Sequence, residues 1–124
     1  MILNFLLVGI GGGIGALSRY VIDKYISSKV KHHIPFGTLG VNLIGLFLIG
    51  FFYSVFEHHI VSENLKHFIV VGFLGALTTF SSYAYGTLIL FEKKKIKEAI
   101  YNILLNNILG MVVAFLGAVV GKYI

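Results

Sequence analysis

The stretch Gly72-Phe73-Leu74-Gly75-Ala76-Leu77-Thr78-Thr79-Phe80-Ser81-Ser82-Tyr83 places four small hydroxyl residues around one aromatic ring, in the middle of an apolar run. That run extends from about residue 67 to about residue 91, and a bilayer needs roughly 20 apolar residues to cross. Hydroxyls are a poor choice against lipid, because a polar group in hydrocarbon is costly unless paired. They bond readily to nearby backbone, and so tolerate a break in a helix. A break at midplane frees carbonyls for a cation and N–H groups for an anion, the usual construction of an ion site in a membrane. The segment therefore predicts a third transmembrane helix interrupted near Thr78. Phe80 and Tyr83 lie three apart, on one face. Their electropositive ring edges can face an anion, although ring packing is the simpler reading of that spacing.

Working outward, three more apolar runs cover about 2–25, about 36–56 and about 99–122, with ends good to a few residues. Hydrophobic residues make up 57% of the 124-residue chain and charged residues only 12%. A soluble domain carries roughly twice that share of charge. One all-α membrane domain over 1–124 is expected, with four transmembrane helices. The connections, Ser27 to Pro35, Glu57 to Lys66 and Glu92 to Glu98, hold nearly all the charge and the only proline. Pro35 suits the first position of the second helix, where its missing N–H costs nothing. Glu57, His58, His59 and Glu63 read as a solvated turn. The N-terminus lacks a basic leader region and reads as the start of a retained helix.

The net charge is +5, but the basic residues sit in short connections and form no nucleic-acid face. Lys24, Lys29, Lys31, Lys93, Lys94, Lys95 and Lys97 follow the first and third helices, against only Lys66 and Lys122 on the other side. By the positive-inside rule, a plasma-membrane location then puts both termini outside. Cysteine is absent and the five histidines lie in or beside connections, which argues against a metal centre built from them. No nucleophile–base pair stands out, so an enzyme is not expected.

Glycine occurs 15 times, with Gly9 and Gly13, Gly11 and Gly15, Gly37 and Gly45, and Gly110 and Gly117 at helical spacing. Lipid gives helices no hydrophobic reason to associate, so small residues bring backbones into contact instead. A tightly packed, oligomeric bundle follows, since four short helices hardly enclose a pore alone.

Each remaining polar group has a plain and a functional reading. Arg19 either snorkels to headgroups or supplies a fixed charge that draws anions. Thr38 and Asn42 share a face of the second helix; Asn42 bonds another helix or donates to a dehydrated anion. Asn102 and Asn106, with Asn107 adjacent, are either packing glue or a polar track. No Asp or Glu lies deep in any apolar run, whereas a proton-coupled carrier of cations normally needs one. That weighs against a small dual-topology multidrug exporter. A non-transporting scaffold explains the glycines but leaves Thr78 to Ser82 without purpose.

Three motifs in order give the chain a specific resemblance. Gly12-Gly13-Ile14-Gly15-Ala16-Leu17-Ser18-Arg19-Tyr20, Gly37-Thr38-Leu39-Gly40-Val41-Asn42-Leu43-Ile44-Gly45 and the segment Gly72 to Ser82 resemble the signatures of the first, second and broken third helices of the Fluc/CrcB fluoride channel family. The resemblance covers nearly the whole chain. It implies an antiparallel dimer with pores along the subunit interface, and passive fluoride export that confers fluoride resistance. Asn42 then matches the pore asparagine, Thr38 the polar residue before it, Arg19 the vestibule arginine and Phe80 the first pore phenylalanine. Ser81 and Ser82 match the hydroxyl track. Gly75 and Thr78 match positions whose carbonyls hold a central sodium ion. This chain departs at Tyr83, where the second pore phenylalanine stands, and at Gly86, where a glutamate is frequent. Asn102 and Asn106 replace a Tyr/Ser track. The one-sided lysines disfavour insertion in both orientations, so the expected partner is an oppositely oriented homologue, with a homodimer as the alternative.

Overall fold

The computed structural model describes all 124 residues. Four helical spans are each long and apolar enough to cross a membrane: α1 (Ile2–Lys29), α2 (Phe36–His58), α3 (Glu63–Glu92) and α4 (Ile96–Lys122). The protein is all-helical, and its surface is that of a multi-pass membrane protein. Large side chains such as Phe5, Leu17, Met111 and Phe115 point outward, while the buried set includes Thr38, Asn42, Ser54, Thr79, Thr87 and Asn102. A chain that hides amides and hydroxyls and shows phenylalanine is using lipid as its solvent.

The spans run beyond their expected ends. α1 continues to Lys29, whose charge suits a helix C-terminus. α3 starts at Glu63 because the Ser62 hydroxyl caps the Leu65 N–H at 3.2 Å. Part of the expected solvated turn is therefore helix. α4 starts at Ile96, with Glu98 favourably in its first turn. Pro35 sits one residue before α2 rather than at its first position.

Neither α3 nor α4 is regular. His67–Leu74 and Leu105–Leu109 are π-helical, a wider turn that is rare and recurs at functional sites. In α3, the short helical turn Gly75–Leu77 is followed by Thr78 and Thr79 in extended conformation, with ψ of 152° and 118°. The helix resumes at Phe80 and runs to Glu92.

Glycine sets the two closest helix contacts. A Cβ at Gly117 would overlap the Phe47 carbonyl oxygen, and one at Gly50 the Ala114 carbonyl oxygen, so α2 and α4 touch backbone to backbone. Ser54 adds a 2.6 Å hydrogen bond to the Ala118 carbonyl in the same seam. Gly11 and Gly15 admit the carbonyls of Phe68 and Phe73, joining α1 to α3. Gly9 and Gly13 meet nothing and face outward. The small apolar core, Val41, Leu74 and Leu77, lies between α2 and α3.

Lys24 lies 5.7 Å from the Tyr20 ring, Lys29 5.8 Å from Tyr25 and Lys97 5.8 Å from Tyr101. Tyrosine and lysine together mark the Lys-rich end as the level of a membrane interface.

Candidate functional site

The interruption in α3 is tied to α2 by one side chain. Thr79 cannot bond the Gly75 carbonyl, its partner in a continuous helix. Its N–H donates instead to Asn42 Oδ1 at 2.9 Å, and Asn42 Nδ2 donates back to the Thr79 carbonyl at 3.2 Å. A carboxamide has the same donor and acceptor pair as a peptide, so Asn42 acts as a missing length of backbone. The Thr79 hydroxyl then caps the resuming helix, accepting from Ser82 N–H at 3.2 Å. Ser81 Oγ lies 3.2 Å from the same hydroxyl.

A polar chain continues from Asn42 across α4 and back to α3. Asn42 Nδ2 also donates to Asn106 Oδ1 at 3.2 Å, and Asn106 Nδ2 donates to Asn102 Oδ1 at 3.0 Å and to the Asn102 carbonyl at 2.8 Å. Asn102, wholly buried, donates to Thr87 Oγ1 at 2.9 Å. Thr87 in turn donates to the Tyr83 carbonyl at 2.8 Å. Both N–H groups of Asn42 are engaged, so its amide is first of all a structural clasp.

Beside this clasp opens a pocket of about 220 Å³, walled by Asn42, Thr79, Phe80, Tyr83, Asn106 and Asn107 among others. Phe80 and Tyr83 meet edge to face, with centroids 5.5 Å apart and planes at 72°. The Tyr83 hydroxyl accepts from Asn107 Nδ2 at 3.0 Å. Asn106 and Asn107 are neighbours, yet the first serves Asn42 and the second Tyr83. The π-helical turn that contains both makes room for this. Phe80 is 77% exposed, so one side of the pocket is open at the surface of the single chain.

Gly75 and Thr78 lie at the interruption too. The Thr79 N–H goes to Asn42 and the Ser82 N–H to the Thr79 hydroxyl, which leaves the Gly75 and Thr78 carbonyls without their helical donors. None of the turn, loop and cap hydrogen bonds ends on either oxygen. The two residues stand three apart at the interruption, Gly75 exposed and Thr78 partly so.

Thr38 and Ser82 are not in this pocket. They line a second cavity one turn closer to the Lys-rich end. Arg19 lines neither polar cavity and has no carboxylate partner; the single ion pair in the chain is Lys66–Glu63 at 3.4 Å. Thr79, Thr87 and Asn107 were not singled out from sequence. Thr79 and Asn107 stand next to residues that were, and Thr87 lies four residues after Tyr83, the one spacing that points to it.

The family model described as CrcB-like protein, camphor resistance (CrcB), matches residues 6–118. The chain belongs to the CrcB family. Among CrcB relatives, the fluoride-specific ion channel FluC of Parabacteroides distasonis is 43% identical over 124 residues, covering all of this chain and 96% of that one. FluC of Legionella pneumophila strain Paris is 41% identical over 121 residues, 97% of this chain and 90% of its own. FluC of Shewanella frigidimarina is 42% identical over 114 residues, 92% of each chain. This CrcB chain therefore aligns with these relatives over 92% or more of its length, and with the Parabacteroides protein over all four helical spans.

Proposed function

We propose that the chain is a subunit of a fluoride-selective channel that lets the anion leave the cytoplasm passively. The observation that carries this reading is the clasp of Asn42 on the interrupted α3, set directly beside an open pocket with two aromatic edges. Fluoride is small and strongly hydrated, and it gives up water only to dense donors. It is also a far stronger acceptor than a neutral amide. An entering fluoride takes over the Asn42 N–H now given to Asn106 at 3.2 Å, while the bond to Thr79 holds the amide in place. The edges of Phe80 and Tyr83 supply the opposite wall, and Ser81 a nearby hydroxyl.

The remaining elements of the reading follow from the same site. The exposed face of Phe80 and the bare carbonyls of Gly75 and Thr78 are covered by a second subunit of opposite orientation. A sodium ion held by those carbonyls and their counterparts offsets the anion's charge and joins the subunits. The lysine bias supports one orientation for this chain, with termini outside, and hence an oppositely inserted homologue as partner. Reporter fusions at the C-terminus give a purely external signal on this reading; a mixed signal selects the homodimer. An inside-negative potential favours anion exit by roughly 2.3 kcal/mol per charge per 100 mV.

The deciding experiment is fluoride efflux from liposomes carrying the chain alone, and again with a co-expressed homologue. Efflux of fluoride without matching efflux of chloride supports the channel. No efflux in either preparation, from protein that elutes as a single species, removes it.

A further inference from the structure

The outer face of α1 carries a groove of about 360 Å³, formed by Ile14, Leu17, Ser18, Val21 and Ile22. All five residues belong to one helix. From Ile14 to Ile22 the groove runs for about 12 Å, at 1.5 Å per residue. One leaflet of a bilayer has an apolar depth of roughly 15 Å. The groove therefore has nearly the length of a lipid chain lying along the helix, and it leads toward the Lys-rich end. Leu17 is 68% and Val21 62% exposed, so its rim is open.

The end of this groove is charged. Tyr25 and Ser28 continue its line beyond Val21, at helical spacing. Lys24 and Lys29 flank that line, one on each side, and both are exposed. Their ammonium groups fold back along the helix, Lys24 to 5.7 Å from the Tyr20 ring and Lys29 to 5.8 Å from the Tyr25 ring. The charges are thereby drawn toward the end of the groove. The only carboxylate of α1, Asp23, lies about 160° round the helix from Val21. It packs at Gly37 of α2, where the Ser27 hydroxyl donates to it at 3.1 Å. The C-terminal end of a helix carries about half a negative charge, which two lysines outweigh.

We propose that this face of α1 binds an anionic phospholipid of the adjoining leaflet. One acyl chain lies in the groove between Ile22 and Ile14, and the headgroup phosphate sits between Lys24 and Lys29. Two observations select this occupant. An apolar groove that ends beneath exposed charge at a membrane interface suits an amphiphile. The charge there is positive, with the one carboxylate turned to α2, so an anionic headgroup is favoured over a zwitterionic one. A partner helix laid in the groove would desolvate both ammonium groups, which is costly unless carboxylates meet them. Bound there, the lipid holds the Lys-rich end of α1 at the anionic leaflet. The groove shares no residue with the pocket beside Asn42, and the inference does not rest on the fluoride reading.

The chain has no tryptophan, so Leu17→Trp sets a single fluorophore on the rim of the groove. The full chain is reconstituted in vesicles of phosphatidylcholine and phosphatidylglycerol, with one or the other lipid brominated at mid-chain. Quenching then gives the relative affinity of the two lipids at that face. Phosphatidylglycerol is expected to be preferred roughly fivefold, the effect of one lysine at an anionic surface, and less so at roughly 1 M salt. Lys24→Gln/Lys29→Gln is expected to bring the ratio close to one. Lys93→Gln/Lys95→Gln removes as much charge from the same end and leaves the ratio unchanged. Phe115→Trp, on the outer face of α4, reports a ratio close to one. Equal affinity of the two lipids at Leu17→Trp overturns the proposal. So does a preference that survives Lys24→Gln/Lys29→Gln, falls equally with Lys93→Gln/Lys95→Gln, or recurs at Phe115→Trp. Quenching by neither lipid means that protein covers the groove, and overturns it as well. If Leu17→Trp does not reconstitute, the melting temperature of the wild-type chain in detergent decides. A rise with phosphatidylglycerol that Lys24→Gln/Lys29→Gln abolishes supports the site; an equal response to both lipids overturns it.

Discussion

Asn42 and Thr79 meet through two hydrogen bonds, Thr79 N–H to Oδ1 at 2.9 Å and Nδ2 to the Thr79 carbonyl at 3.2 Å, across 37 residues of chain. Replacing Asn42 with Leu leaves both peptide groups buried and unpaired, at about 1–3 kcal/mol each in water-soluble cores and nearer 1 in a membrane. Fluoride efflux is expected to fall at least tenfold, with a lower melting temperature in detergent. Asn42→Asp keeps the acceptor for Thr79 N–H but loses both donations. It is therefore expected to recover part of the stability and little of the flux.

Tyr83 and Asn107 act as a pair. Tyr83→Phe removes the hydroxyl that Asn107 bonds at 3.0 Å and keeps the ring edge against Phe80. Flux is expected to stay within about twofold, whereas Tyr83→Ala abolishes most of it. A double-mutant cycle of Tyr83→Phe with Asn107→Leu should return a coupling of about 0.6 kcal/mol, the common size for such bonds between membrane helices. A coupling indistinguishable from zero removes Asn107 as a support of the ring.

Gly117 and Gly13 separate packing from composition. Gly117→Ala drives a methyl into the Phe47 carbonyl, so it is expected to cost about 1–3 kcal/mol by overpacking. Gly13→Ala meets open space and is expected to leave subunit stability unchanged. Equal thermal stability of the two variants in detergent refutes the backbone contact between α2 and α4.

Lys94, with φ of 61° in the turn after α3, is a strained position that can be relieved. A side chain in the left-handed region costs roughly 1 kcal/mol, which glycine does not incur. Lys94→Gly is expected to raise stability by about that amount, read as a higher melting temperature.

Sodium makes its own prediction. If the Gly75 and Thr78 carbonyls hold the ion, exchanging sodium for a large organic cation lowers the melting temperature. The loss is about 2.7 kcal/mol if the ion was present at a hundred times its dissociation constant. Thr78→Val keeps the carbonyl and retains the sodium response, while it loses the hydroxyl bond to Leu74 at 3.1 Å.

The four spans were legible in sequence because lipid imposes a coarse rule, a long apolar run between charged connections, and this chain obeys it plainly. Asn42 was legible as an amide out of place. Its partner was not: nothing in the residue types distinguishes Thr79 from Thr78, and only three-dimensional proximity selects which peptide group receives the amide. Asn107 reads as packing glue until the π-helical turn brings it to Tyr83, and no residue type announces such a turn. Arg19 shows the reverse case. A lone arginine near the end of a helix draws attention by its charge, yet neither polar cavity includes it. The distinction between Gly11 and Gly9 likewise lies in which face of α1 meets α3, which spacing alone leaves open.

The paired hydrogen bonds between Asn42 and Thr79 also bear on how such a protein turns over. A carrier needs a joint that swings, so that the cargo is seen first from one side and then from the other, and a discontinuous helix is the natural place for one. Here that joint is stapled to its neighbour at both its amide and its carbonyl. Two bonds of roughly 1 kcal/mol each in a membrane favour one setting of that joint, and on the channel reading the ion then moves along a standing route without a rocking cycle.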